Sequence, residues 1–469
     1  MVGDDVLYLP VTELARRIRS RHLSPVELTE GYLARIRKYA DGLNAFVTVT
    51  EDIALAEARS AEREISGGRY RGPLHGIPYG AKDLLATVGT KTTWGAKPTR
   101  NQTFDRDATV IRRLRDAGAI LLGKTAMVEF AGCLGYRFAN ASLTGPGRNP
   151  WDPERWTGGS SSGSGAAVAA ALVGFAIGTE TWGSILCPSA FCGVTGLRPT
   201  YGRVSRAGGM VGSFTLDKIG PMARAAGDLR VILEAVAGAD PDDPSAADEP
   251  VRLDRGRADL SKLRGALIAP DFAKTAGAEP EAKDAFERAV ETLRGAGLRL
   301  ETAALPDFPA TEVAVSILTA EAASTFENFF RDGSVRELTD RYAPYQLEIA
   351  RGMSGSDYVK ASRMRTILQE TMVGFFGRHD VIVTPNFLSV APPIDKDLNE
   401  TLPYPDPVGA IGNACGLPAI ALPAGFGRGR MPLSVQVMGS AFEEATLLDI
   451  GERFQDRTAF HRDRPPRFA

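Results

Sequence analysis

The densest run of residues able to do chemistry is Thr157-Gly158-Gly159-Ser160-Ser161-Ser162-Gly163-Ser164-Gly165. In isolation a glycine and serine run is a flexible linker. Here it opens directly into the alanine-rich stretch 166–171. Its backbone N–H groups therefore sit at a helix N-terminus, where anions and developing negative charge are favoured. A phosphate loop would need G-x-x-x-x-G-K-[ST], and no lysine stands in that place. Gly163-x-Gly165-x-x-Val168 also misses the dinucleotide fingerprint. Gly159 to Gly163 does match G-x-S-x-G, which in a strand–turn–helix elbow would make Ser161 the nucleophile. The preceding stretch 149–156, with Pro150 and Pro153 among charged residues, reads as a loop, so the elbow lacks its strand.

A serine nucleophile working with histidine would have to use His22, His75, His379 or His461, the four histidines of the chain. His22 lies in a turn between helices and His461 in a basic, proline-rich tail. His379 follows a phenylalanine-rich helix end, where a cation is ordinary. Without histidine a serine needs another base, and lysine is the usual substitute. Lys82 taken alone reads as a solvated surface lysine, yet strand-like sequence flanks it between Gly80 and Leu84-Leu85. Cys133, Cys187, Cys192 and Cys415 lack paired C-x-x-C spacing and no H-E-x-x-H motif is present, so they read as free buried thiols. No metal and no cofactor is expected.

The elements that must position these groups follow from periodicity. Ser24-Pro25-Val26-Glu27 is a capping box with proline at the first helical position, and Val26, Leu33 and Ile36 then recur at helical spacing, which predicts a helix near 24–39. Residues 107–117 carry Val110, Ile111, Leu114 and Ala117 on one face, Gly118 ends that helix, and 119–122 reads as a buried strand. The alternation recurs at 163–174 and 175–181, and again with a helix over 279–296 between strands near 264–269 and 298–304. It predicts an α/β architecture with a largely parallel or mixed sheet. Leu433, Val435 and Val437 alternate with Ser434 and Gln436 as a half-buried strand, before Ser440–Glu443 caps a final helix. The acidic, proline-containing stretch 239–262 reads as a surface excursion.

The 469 residues, 43% hydrophobic and 24% charged, suffice for a sizeable core and exclude a disordered, collagenous or disulfide-stapled chain. A net charge of -2 argues against a nucleic-acid footprint. The longest nearly apolar run, 166–178, falls short of the roughly 20 residues a bilayer demands, so no membrane association is expected. The acidic first residues do not resemble a secretory signal, and a cytoplasmic location is expected.

These motifs together resemble the amidase signature family. The match runs through Gly72-Pro73-Leu74-His75-Gly76-Ile77-Pro78 into Ala81-Lys82-Asp83, then Thr157-Gly158-Gly159-Ser160-Ser161 and Gly178-Thr179-Glu180-Thr181-Trp182-Gly183-Ser184-Ile185. It continues through Gly193 to Gly202 and the late Gly416-Leu417-Pro418-Ala419. The resemblance covers most of the chain and is weakest between about 240 and 400. It implies a single domain over 1–469, with a mixed central β-sheet covered by helices on both faces, a signature core at about 65–235 and a substrate-specificity region at about 240–400. It implies a Ser–Ser–Lys triad: Ser184 as nucleophile, Ser160 as bridging serine after a cis Gly159–Ser160 peptide, and Lys82 as base. It also implies an oxyanion hole made by the N–H groups of Thr181, Trp182, Gly183 and Ser184, with Gly159 and Ser161 in the supporting loop. Lys82 would have to be desolvated or placed near other cations to accept a proton at neutral pH.

The chain departs from the family pattern Asp-Thr-Gly-Gly-Ser-Ile-Arg with Glu180-Thr181-Trp182-Gly183-Ser184-Ile185-Leu186, which lengthens an acid and removes an arginine. Any charge pairing there must be rebuilt, and Trp182 either packs in the core or lines the pocket. The expected activity is hydrolysis of an amide C–N bond through a seryl acyl-enzyme, on a small-molecule substrate, by a monomer or homodimer. Aryl-acylamide or carbamate cleavage with esterase side activity is an alternative within that chemistry. The other alternative is the glutaminase subunit of a tRNA-dependent amidotransferase. There an acidic side chain near the late Gly-Leu-Pro motif holds the substrate amino group, and here 407–413 offers none, although Asp406 precedes it. The stand-alone amidase is preferred on that ground. Phe326, Phe329, Phe330, Tyr342, Tyr345, Tyr358, Phe375 and Phe376 suggest an apolar or aryl substrate.

Overall fold

The computed structural model describes residues 2–253, 256, 258–403 and 406–468. Its strands are β1 Phe46–Val49, β2 Pro78–Lys82, β3 Ile120–Thr125, β4 Phe175–Glu180, β5 Thr195–Arg198, β6 Lys218–Ala223, β7 Arg264–Leu267, β8 Arg299–Thr302, β9 Val381–Pro385, β10 Ala419–Phe426 and β11 Pro432–Gly439. They join in one 11-stranded sheet of order β1-β3-β2-β4-β6-β5-β10-β11-β9-β7-β8. β3, β2 and β4 run parallel, as do β8, β7 and β9, while the ladders from β4 to β9 through β6, β5, β10 and β11 are antiparallel. The sheet is mixed, as the alternation of elements implied.

Both faces of the sheet centre are covered. Ile420, Leu422, Val435 and Val437 pack into the larger apolar cluster with Leu447 and Leu448 of the helix Glu444–Gln455. Ala419, Ala421 and Met438 face the other way, into a second cluster with Ile411 and Ala414 of the helix Pro407–Ala414. β11 is therefore buried throughout and not half-buried as its alternation predicts. Its polar face is enclosed too, and Ser434 Oγ accepts from Asn386 Nδ2 at 3.2 Å.

The predicted helices form with shifted ends: Pro25–Leu43, Thr109–Asp116, Ser162–Ala169 and Pro280–Gly295. Ser24 caps the first of these, accepting from the N–H groups of Val26 and Glu27 at 3.0 and 3.2 Å. Ser440 does not cap the final helix; Glu443 stands at its N-cap, without a side-chain cap bond. The stretch 239–262 is not all surface. Asp240 accepts from Ser205 Oγ at 2.5 Å and Asp243 from the Arg206 N–H at 2.6 Å, and both carboxylates are buried; residues 254, 255 and 257 lie outside the described residues. Among the described residues no helix is long and apolar enough to cross a membrane.

Candidate active site

β2 and β4 lie side by side with Ala81 opposite Ile177, which brings Lys82, the last residue of β2, beside Thr179 on β4. Lys82 Nζ donates to Ser160 Oγ at 2.7 Å, to Thr179 Oγ1 at 2.9 Å and to the Thr179 carbonyl at 3.3 Å. The side chain is 0% exposed. Burial pulls its pKa down to about 7, against the upward pull of Cys133, Asp217 and Glu180.

Ser160 arrives from the loop before the helix Ser162–Ala169. The Gly159–Ser160 peptide is cis, and the Ser160 carbonyl accepts from the Val128 N–H at 3.1 Å. Ser161, the residue a hydrolase elbow would have used, spends its hydroxyl on β4: it donates to the Thr179 carbonyl at 3.2 Å and accepts from the Thr179 N–H at 3.3 Å. It acts as scaffold. The helix that follows is buried on every side, and its glycines have no room for a side chain. At Gly163 a Cβ would come within 2.3 Å of the Ala45 carbonyl and 2.4 Å of the Ala126 nitrogen.

Ser184 sits one loop away, its carbonyl accepting from the Ser161 N–H at 3.2 Å, so its backbone is tied to the residue next to Ser160. Among the described residues, Ser184 Oγ and the N–H groups of Thr181, Trp182, Gly183 and Ser184 have no protein partner. Gly183 has φ +77°, a left-handed conformation that turns the peptide here and that a side chain would strain. A loop with four unspent donors beside a free hydroxyl is suited to hold an oxygen that becomes negative. The four histidines sit elsewhere: His22 meets Ser20 Oγ, His75 accepts from the Arg71 N–H, His379 packs on Phe375, and His461 lies against Arg462.

The loop's departures from the family pattern have partners. Glu180 pairs with Arg198 at 2.9 Å, both fully buried, and its other oxygen accepts from the N–H groups of Ile185 and Leu186. Burial pushes the Glu180 carboxyl up, but Arg198, Lys218 and these hydrogen bonds outweigh it and hold the pKa below the usual range. Trp182 is half-buried: its ring packs on the second apolar cluster and its Nε1 donates to Asp406 Oδ2 at 3.2 Å. The structure adds three residues that sequence reasoning missed. Asp217 accepts from Thr181 Oγ1, and Lys218 donates to the Thr181 carbonyl at 3.3 Å and to Asn413 Oδ1 at 2.8 Å. A charged pair leading straight into the apolar strand 219–223 was the available signal.

A cavity of about 280 Å³, lined by Cys133, Tyr136, Arg137, Leu318, Thr319 and Tyr342, meets the loop 181–184 only through Cys133 and includes none of Lys82, Ser160 and Ser184 in its lining. Cys133 Sγ lies 3.9 Å from Thr181 Oγ1. A larger groove of about 830 Å³ along the helix Pro280–Gly295 contains none of the residues above. Of the eight aromatics between 326 and 376, only Tyr342 lines the smaller cavity. Phe326 and Phe375 are core, and Tyr358 bonds Glu321.

The amidase family model matches residues 27–448. A glutamyl-tRNA(Gln) amidotransferase subunit from Carboxydothermus hydrogenoformans is 34% identical over 488 residues, covering 98% of this chain and 99% of that protein. Among solved structures, the native peptide amidase of Stenotrophomonas maltophilia superposes with TM-score 0.82 at 32% identity, covering 96% of each chain. The corresponding glutamyl-tRNA(Gln) amidotransferase subunit from Thermotoga maritima superposes with TM-score 0.82 at 28% identity, covering 98% of this chain and 96% of its own. The chain belongs to the amidase family and is an enzyme acting on the carbon–nitrogen bond of amides.

Proposed function

We propose that the protein hydrolyses a carboxylic acid amide through a seryl acyl-enzyme, with Ser184 as nucleophile, Ser160 as proton bridge and Lys82 as base. Neutral Lys82 takes a proton from Ser160 as Ser160 takes one from Ser184, and Ser184 Oγ attacks the carbonyl carbon. The oxygen that becomes negative is met by the free N–H groups of the loop 181–184, each typically worth about 3 kcal/mol. The proton returns to the leaving nitrogen as the C–N bond breaks, and water, activated by the same relay, releases the acid. The observation that carries this reading is the state of Lys82. Lys124, also buried, has Asp83 at 3.6 Å, whereas Lys82 makes no ion pair among the described residues and ends on a serine hydroxyl.

Glutamine is the amide favoured by the names of the relatives, and on that reading the chain works as one subunit of an assembly and not as a monomer or homodimer. A stand-alone amidase is the second reading, favoured by Asp406. Its carboxylate already accepts from Trp182 Nε1 and from the Gly409 N–H at 2.9 Å, which leaves it committed to the protein. The segment 240–400 supplies one wall of the 280 Å³ cavity and is proposed to set specificity. The free cysteines suit a reducing, cytoplasmic setting.

The test is product release from propionamide, benzamide, acetanilide and glutamine, with Ser184→Ala in parallel. Turnover of glutamine alone supports the amidotransferase reading, and ammonia or aniline from the others supports the stand-alone enzyme. Hydrolysis that survives Ser184→Ala unchanged overturns both.

A further inference from the structure

Lys218, the first residue of β6, is 2% exposed, and its Nζ donates to two acceptors, the Thr181 carbonyl and Asn413 Oδ1. Its place is fixed by the ladder, since Lys218 stands opposite Glu180, the last residue of β4 before the loop that carries Ser184. Asn413 is oriented from its own helix: its Nδ2 donates to the Gly409 carbonyl at 2.9 Å, which turns Oδ1 toward the lysine. The preceding residue, Asp217, holds the Thr181 hydroxyl and accepts from the N–H groups of Gly212 and Ser213. Two successive residues thus grip Thr181, one by its side chain and one by its carbonyl.

The Thr181 carbonyl and the Trp182 N–H belong to one planar, conjugated peptide group. A donor on the oxygen draws electron density from the nitrogen and makes the N–H a stronger donor, as in any hydrogen-bonded chain at low dielectric. The Trp182 N–H is one of the unspent donors of the loop 181–184.

We propose that Lys218 is a positioning residue of the reaction: its Nζ, oriented by Asn413, fixes and polarises the Thr181–Trp182 peptide so that the Trp182 N–H stabilises the negative oxygen of the tetrahedral intermediate. The inference rests on the seryl acyl-enzyme reading. Because that charge exists only on the way to the intermediate, loss of Lys218 falls on the rate of the covalent step and leaves ground-state binding alone.

The test needs no knowledge of the natural amide. An alkyl fluorophosphonate reacts with a serine nucleophile by forming an O–P bond and expelling fluoride, while the serine proton passes to the base. Its phosphoryl oxygen takes the seat of the carbonyl oxygen. Saturation kinetics give a maximal labelling rate and a binding constant for wild type, Lys218→Met, Lys218→Gln and Asn413→Ala, with Ser184→Ala as control. Lys218→Met is expected to lower the maximal rate by roughly tenfold or more, within the range for one oxyanion donor, with the binding constant within about twofold. Lys218→Gln, which restores a donor, is expected to recover part of the rate. If Lys218→Met does not fold, Asn413→Ala carries the test and is expected to show a smaller loss of the same kind. A wild-type rate in Lys218→Met, or in Asn413→Ala when it stands alone, overturns the proposal, as does a change confined to the binding constant. Equal labelling of Ser184→Ala would instead overturn the seryl reading itself, so the two failures are distinct.

Discussion

Arg198 Nη1 lies 2.9 Å from Glu180 Oε1 with neither side chain exposed, and the carboxylate's other oxygen accepts from the N–H groups of Ile185 and Leu186, the two residues after Ser184. The ion pair therefore fixes the downstream end of the loop 181–184 as well as two strands. Glu180→Gln leaves Arg198 buried without its charge partner. The expected cost is about 3 kcal/mol of stability, read by urea denaturation, together with a fall in kcat. Full stability in this variant would mean that Arg198 finds a carboxylate elsewhere.

That pairing shows where sequence reading stops. The motifs around Lys82, Ser160 and Ser184 were legible because each is a dense local pattern. The loss of an arginine at position 186 was legible too, but not its replacement, because Arg198 reaches Glu180 only through the order β4-β6-β5. Lys218 and Asn413 were hidden for the same reason: each is an ordinary polar residue until the fold brings it to the loop. Asp406 was visible in the sequence, but its bond to Trp182 was not. β11 was misjudged because polar residues at alternate positions imply water. Here a second layer of helix covers them, and Ser434 finds Asn386 instead.

The pH dependence of kcat/KM follows from Lys82. Burial pulls its pKa to about 7, and in the proposed relay only the neutral amine takes the proton from Ser160. Activity is expected to rise with pH through about 7 and then level off, since protonation below that value removes the base. The limb is expected to persist in Lys218→Met, where the buried lysine next to Asp217 is gone but the proposed proton path is intact. A flat profile from pH 5.5 to 8.5 would exclude Lys82 as the base.

The same burial costs stability. The unfolded chain holds the Lys82 proton up to about pH 10, while the folded chain releases it near 7, so folding at neutral pH works against a charge that prefers water. Between those values the unfolded state binds more protons, and this contribution improves as pH rises. Lys82→Met keeps the shape without the charge. It is expected to abolish turnover yet stabilise the fold by about 2 kcal/mol, after allowance for the lost bonds to Ser160 and Thr179. The check is the urea midpoint of the purified variant against wild type. A lower midpoint would show that those hydrogen bonds outweigh the desolvation.

Trp182 separates positioning of the loop from selection of the substrate. Trp182→Phe keeps a ring against the second apolar cluster but loses the bond to Asp406, leaving a buried carboxylate one donor short; a loss of about 1.5 kcal/mol of stability is expected, with activity toward simple amides largely kept. Trp182→Gly removes the ring as well and opens space two residues from Ser184, where Asp406, still held by the Gly409 N–H through Oδ1, then offers its Oδ2 to a cationic group on the substrate. Burial pushes the Asp406 carboxyl up, so this attraction is expected to weaken as pH falls. Glutamine, with its ammonium, is expected to gain in kcat/KM at least tenfold relative to propionamide in the glycine variant, and not in the phenylalanine variant. Steady-state kinetics on both substrates decide it. An equal change for both amides would mean that Trp182 governs only the oxyanion donors, and that Asp406 never meets the substrate.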